Sequence, residues 1–289
     1  ETHMLKPYGE RVRATYEYML SSIHYTERNA AEIQKKMAES LVELQPGKKY
    51  ALQWKLDDTK FQMIDFKGYE AGKKTSEVSG KPRLFYDKTK PFTRKVKFFN
   101  EYIAAKEVTI PKFYAIPKSE YKVIEYLKRN NIKIKEIAKD SAINVEVYRI
   151  EDYKTVKNPY EGHYLHYETK TKSEFKNLMF RKGDFLVSTE QNGVKYLLET
   201  LEPEATDSFF NWNFFDAILG QKEYFSDYVF EDTAAELLKS DQVLRTAFEF
   251  EKIAKPEFAN DANAQLDWIY RHSDYYEKSI GLYPIYRIL

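Results

Sequence analysis

The side chains able to do chemistry in this 289-residue chain are carboxylates and five histidines, because it contains no cysteine. Without thiols there is no disulfide, no thiolate metal site and no cysteine nucleophile. A hydrolytic zinc site needs three neutral or anionic ligands and an open position for water. His24-Tyr25-Thr26-Glu27 has the spacing of a His-x-x-Glu ligand pair, a four-residue pattern that arises readily by chance. Solvated positions at a helix junction account better for both residues. His163 and His166 are the only local histidine pair. Three positions apart on a strand they face opposite ways, so they cannot share an ion without a bulge. They read as surface or interface histidines, while His3 and His272 stand isolated.

Glu199, Glu202, Glu204 and Asp207 crowd around Pro203. Paired carboxylates can do acid–base work or bind calcium, but the ligand spacing and central glycine of a calcium loop are missing. Asp207 is better placed as the N-cap of a helix beginning at Ser208, with Glu202 and Glu204 fixing the corner before it. There is no glycine-rich phosphate cradle and no Gly-x-Ser-x-Gly elbow.

The elements that must position these groups are legible in the periodicity. Apolar residues at helical spacing predict helices over 9–23 (Val12, Tyr16, Met19, Ile23) and 27–42 (Ala30, Ile33, Met37, Leu41). Tyr50, Leu52, Trp54 and Leu56 then alternate, and Phe61 to Phe66 returns, which predicts a hairpin. Residues 67–91, rich in Lys, Gly and Pro, read as an exposed turn region with at most one short strand. Strands are expected over 92–104, 108–116, 145–150, 161–171, 174–181 and 184–189. Between Phe113 and Ile137 a strand, a helix ended by Asn130-Asn131 and another strand make a small α/β element. From Gln191 onward the chain turns helical, with helices expected up to Leu201 and over 207–222, 231–240, 242–254 and 261–272.

The fold class is therefore α+β. A helical segment over 1–42 precedes a β-sandwich-like antiparallel domain over 43–190, which carries the α/β insert at 111–138. A helical region over 191–289 packs on it. The formal net charge is +1, from 46 basic and 45 acidic residues, which argues against nucleic acid or an anionic membrane as the main partner. No apolar run approaches the ~20 residues of a membrane span. The 24 Tyr and 19 Phe point to a well-packed protein containing sheet, with many tyrosine hydroxyls in water.

Four stretches share one further property: Glu1 to Ser21; Pro111-Lys112-Phe113-Tyr114-Ala115-Ile116-Pro117 with Asn131-Ile132; Arg181 to Val187 continuing through Leu201-Glu202-Pro203-Glu204-Ala205-Thr206-Asp207-Ser208 to Phe215; and Tyr283 to Ile288. Together they resemble the C-terminal region of large bacterial zinc metallocarboxypeptidase-like proteins. The resemblance implies that Glu1 matches the general-base glutamate that activates zinc-bound water. It also implies that residues 1–42 are a helical remnant of the preceding catalytic domain, and that the zinc ligands lie upstream. The parent would remove C-terminal residues from peptides and hold zinc. This chain, with no cofactor of its own, would be an inactive accessory module that supports or shapes the catalytic domain.

The missing N-terminal catalytic domain is then the expected partner, with peptide as the parent's substrate, self-association as a substitute contact and a periplasmic or secreted location. Phe209, Phe210, Trp212, Phe214 and Phe215 are the candidate interface, since five aromatics in seven positions cannot all face one side of a helix. The alternative is an independent glycan- or peptide-binding module that uses exposed aromatics.

Overall fold

The two expected N-terminal helices are one: α1 runs unbroken over Tyr8–Glu43. The polar residues between them do not end it, because their hydroxyls bond back to the preceding turn. Ser22 Oγ donates to Tyr18 O at 2.8 Å and Thr26 Oγ1 to Ser22 O at 2.9 Å. The expected buried face is absent too, for every residue of α1 is described and none is buried.

The computed structural model describes residues 2–289 and is an α+β fold in two units. One unit is Lys49–Val108; the other combines the chain up to Lys48 with Thr109–Leu289. The strands expected to form one domain over 43–190 are thus shared between the two.

In the smaller unit, β1 (Lys49–Leu56) pairs with β4 (Tyr102–Thr109), and β2 (Gln62–Thr75) pairs with β3 (Pro82–Phe98). Most of the turn region expected over 67–91 is therefore a long hairpin. Its glycines make room for cross-strand rings rather than bends. A Cβ at Gly68 would stand 2.8 Å from the Phe92 ring, and one at Gly72 would stand 2.8 Å from that of Phe85. The actual turn closes at Ser76, whose N–H donates to Lys81 O at 2.9 Å.

The larger unit is built on a six-stranded antiparallel sheet in the order β6-β9-β5-β10-β7-β8. Its elements are β5 (Phe113–Ile116), α2 (Tyr121–Arg129), β6 (Lys135–Glu136), β7 (Ser141–Thr155), β8 (His166–Phe180), β9 (Phe185–Ser188), α3 (Val194–Leu201) and the C-terminal β10 (Tyr286–Ile288). The strand–helix–strand insert is present, but β9 lies between β5 and β6. Ala115, Val145, Val147 and Phe180 form a core on one face of the sheet. Alternation sends Tyr114, Glu146, Tyr148 and Arg287 to the other face.

Helices α4 (Asp227–Ser240), α5 (Gln242–Ala254), α6 (Pro256–Ala259) and α7 (Ala262–Arg271) enclose a separate core of Phe230, Leu244, Phe248, Ile269 and Tyr270. Asp241 caps α5 by accepting from the N–H groups of Val243 and Leu244, and Asp261 caps α7 through Ala264 N–H. No described helix is long and apolar enough to cross a membrane.

β10 reaches the sheet centre through a turn that only glycine fits well. Gly281 has φ +70, and a Cβ there would lie 2.9 Å from Ile150 O. Its own carbonyl accepts from Ile150 N–H at 2.8 Å. Gly281→Ala is expected to lower stability by about 1–3 kcal/mol, read as an earlier urea midpoint for the larger unit. An unchanged midpoint would mean that the turn relaxes at no cost.

Candidate functional site

A single row of the sheet sets the geometry. The register places Arg287 of β10 opposite Tyr114 of β5 on one side and Glu146 of β7 on the other. All three side chains emerge on the face where α3 ends, and Glu202 meets them there. Arg287 Nη1 donates to Glu146 Oε2 and, at 2.6 Å, to the Tyr148 hydroxyl, while Nη2 donates to Thr109 O. Arg287 Nε lies 3.0 Å from Glu202 Oε1, and that oxygen also accepts from the Tyr114 hydroxyl at 2.6 Å. Nearby, the Tyr283 hydroxyl donates to Leu201 O at 2.9 Å.

Two carboxylates thus share one buried guanidinium. Burial pushes the Glu202 carboxyl above its ordinary 4.5, opposed by the attraction of Arg287 and the hydrogen bond from Tyr114. Burial, with the nearby Glu202 charge, also raises Tyr114 and Tyr148, which keeps both hydroxyls neutral.

The segment after Glu202 does not form the expected helix over 207–222; it is a run of turns ending in a 3-10 turn at Asp216–Ile218. Side chains tie the backbone here into turns instead. Ser208 Oγ donates to Pro203 O and accepts from Asn211 N–H, and Asn211 Nδ2 donates to Ala205 O and Thr206 O. Asn213 then turns left-handed at φ +66. Asp207 consequently caps no helix and instead accepts from the Trp212 indole N–H at 3.2 Å.

The loop is pinned to β8. Glu204 Oε1 accepts from Thr171 N–H at 2.8 Å and from its hydroxyl at 2.9 Å. Thr169 Oγ1 donates to Asn211 Oδ1, and His166 N–H donates to Asn211 O, both at 2.9 Å.

His166 is buried, not a surface residue. Its ring nitrogens lie 2.9 Å from Thr155 Oγ1 and 3.1 Å from Asp216 Oδ1. Hydroxyl, imidazole and carboxylate stand in the order of a nucleophilic triad, but none of the three lines the groove beside α2. The contacts tie β7, β8 and the loop together. His163 lies apart, edge-on to Trp212 with ring centroids 5.5 Å apart. His24 and Glu27 are exposed along α1.

The loop's outer side forms one wall of a groove of about 730 Å³, with the solvent face of α2 as the other wall. Helix α2 buries Val123, Ile124 and Leu127 and so turns Lys122, Tyr126 and Arg129 outward. Of the five candidate interface aromatics, Phe209, Phe210 and Phe215 are buried core residues rather than surface. Phe210 and Phe215 pack edge-on against Tyr283. Trp212 and Phe214 are half-buried on the groove wall, so the outward rings line a mixed, charged cleft and not an apolar patch.

Glu1 lies outside the described residues. Among the described residues no three His, Asp or Glu side chains converge on a metal position. Comparisons of the chain with protein-family models, with curated proteins and with solved structures return no match.

The Glu202 shift sets a pH dependence. A carboxyl whose folded pKa lies above its unfolded value of 4.5 gives its full contribution below that pH and loses it as pH rises through the folded value. Glu202→Gln should therefore gain stability relative to the parent chain between pH 4.5 and 7, measured by thermal unfolding across that range. Arg287→Ala strands two buried carboxylates and should cost about 3–5 kcal/mol at neutral pH. A pH-independent gap between Glu202→Gln and the parent would show that Glu202 titrates normally.

Proposed function

We propose that this chain is a non-catalytic accessory module of a zinc metallocarboxypeptidase-like protein, and that it docks on that protein's catalytic domain through α1. The observation that carries the proposal is α1 itself. A helix of 36 residues buries none of them, yet it exposes Val12, Tyr16, Met19 and Ile23 along one stripe. In proteins most helical stability comes from packing an amphipathic face, so a helix with this stripe calls for a partner surface. The proposed partner is named from the resemblance of four separate stretches to the C-terminal region of such proteins. Peptides would then be substrates of the parent's catalytic domain, where its zinc would reside, and this chain would support or shape that domain.

The test is a titration of the parent's separately expressed catalytic domain with this chain. Binding is expected, and Tyr16→Glu with Met19→Glu should weaken it at least tenfold while far-UV circular dichroism of the chain stays unchanged. Absence of binding, or equal binding by the double variant, would overturn the proposal.

A further inference from the structure

We propose that the groove between α2 and the 207–214 loop is a binding site for a neutral oligosaccharide. This inference is independent of the docking role of α1. Its first support is a pair of fixed aromatic walls. Tyr126 stands edge-on to Phe214, with ring centroids 5.5 Å apart, and is backed by Phe209 at 6.0 Å. Trp212 is held by the hydrogen bond from its indole N–H to Asp207 and by the edge contact with His163. Rings locked in this way present flat apolar faces with little entropy left to lose on binding. The C–H faces of a pyranose suit such surfaces.

The second support is the charge balance. Lys122 and Arg129 stand on the helix side, while Glu161 and Asp207 stand on the loop side. Arg129 is also paired with Glu125. An anionic ligand would meet three carboxylates, a cationic ligand two bases, and an apolar ligand would strip water from all of them. A neutral ligand rich in hydroxyls, each both donor and acceptor, satisfies both signs.

Glu161 adds a third observation. It holds a left-handed backbone, φ +48, immediately before Gly162 at φ +80. That conformation belongs to a two-residue turn in which Tyr160 and His163 exchange both backbone hydrogen bonds, and the turn carries Glu161 to the groove. A proline-rich peptide, the nearest rival, would offer the Glu161 carboxylate few donors, because proline carries no N–H.

The experiment is calorimetric titration of the full chain with chitotetraose, cellotetraose, mannotetraose and xylotetraose, alongside a proline-rich decapeptide. Saturable one-to-one binding of at least one tetrasaccharide is expected, weakened at least tenfold in Trp212→Ala. Lys122→Ala, on the exposed face of α2, should weaken binding several-fold without moving the thermal unfolding midpoint. This keeps the test valid if Trp212→Ala unfolds. No binding of any tetrasaccharide, binding of the peptide alone, or affinities unchanged in both variants would overturn the assignment.

Discussion

The larger unit depends on one buried guanidinium shared by two carboxylates. Arg287, from the last strand, reaches Glu146 in the neighbouring strand β7 and Glu202 at the end of α3. Contacts of this kind are poor sources of net stability, because desolvating three charges offsets most of their attraction. Their effect is on uniqueness. With Arg287 displaced, Glu146 and Glu202 would face each other across apolar surroundings, so alternative seatings of β10 or of the segment after α3 carry a large penalty. The two tyrosine hydroxyls complete the arrangement, one accepting from Arg287 and one donating to Glu202.

That constraint is transmitted to the groove through two short links. Glu202 fixes where the 203–215 loop begins, and Glu204 with Asn211 fastens the loop to β8. With its base tied down, the loop presents Trp212 and Phe214 outward while Phe209, Phe210 and Phe215 fill the core. The loop wall of the groove is thus placed by side-chain hydrogen bonds to the sheet, while helix α2 forms the facing wall.

Local signals in the sequence predicted local structure well. Helix α5 is bounded as expected because Asp241 caps it with two hydrogen bonds. The strand and helix around Pro117 follow from breaker residues within a few positions of one another. Failures came where the deciding contact was distant or where side chains competed with the backbone. The 62–98 hairpin was hidden by glycines that admit Phe85 and Phe92 across the ladder, a need visible only after pairing. Ser208 and Asn211 bond the chain over 203–211 into turns where the helix over 207–222 is expected to begin.

The pairing of Glu146 with Arg287 joins residues 141 positions apart and follows from strand register alone. For the groove, Trp212 and Phe214 stood out as part of an aromatic cluster. Lys122 and Tyr126 did not, because their role depends on which face of α2 the sheet covers.

The proposed accessory role depends on α1, a helix of 36 residues none of which is buried. Hydrogen exchange of its backbone amides, followed with and without the proposed catalytic-domain partner, tests this at single-residue level. The expected result is rapid exchange through Tyr8–Glu43 in the chain by itself and strong protection around Val12 to Ile23 once the catalytic domain is added. Protection already complete without the domain, or exchange unaltered by it, would contradict the account.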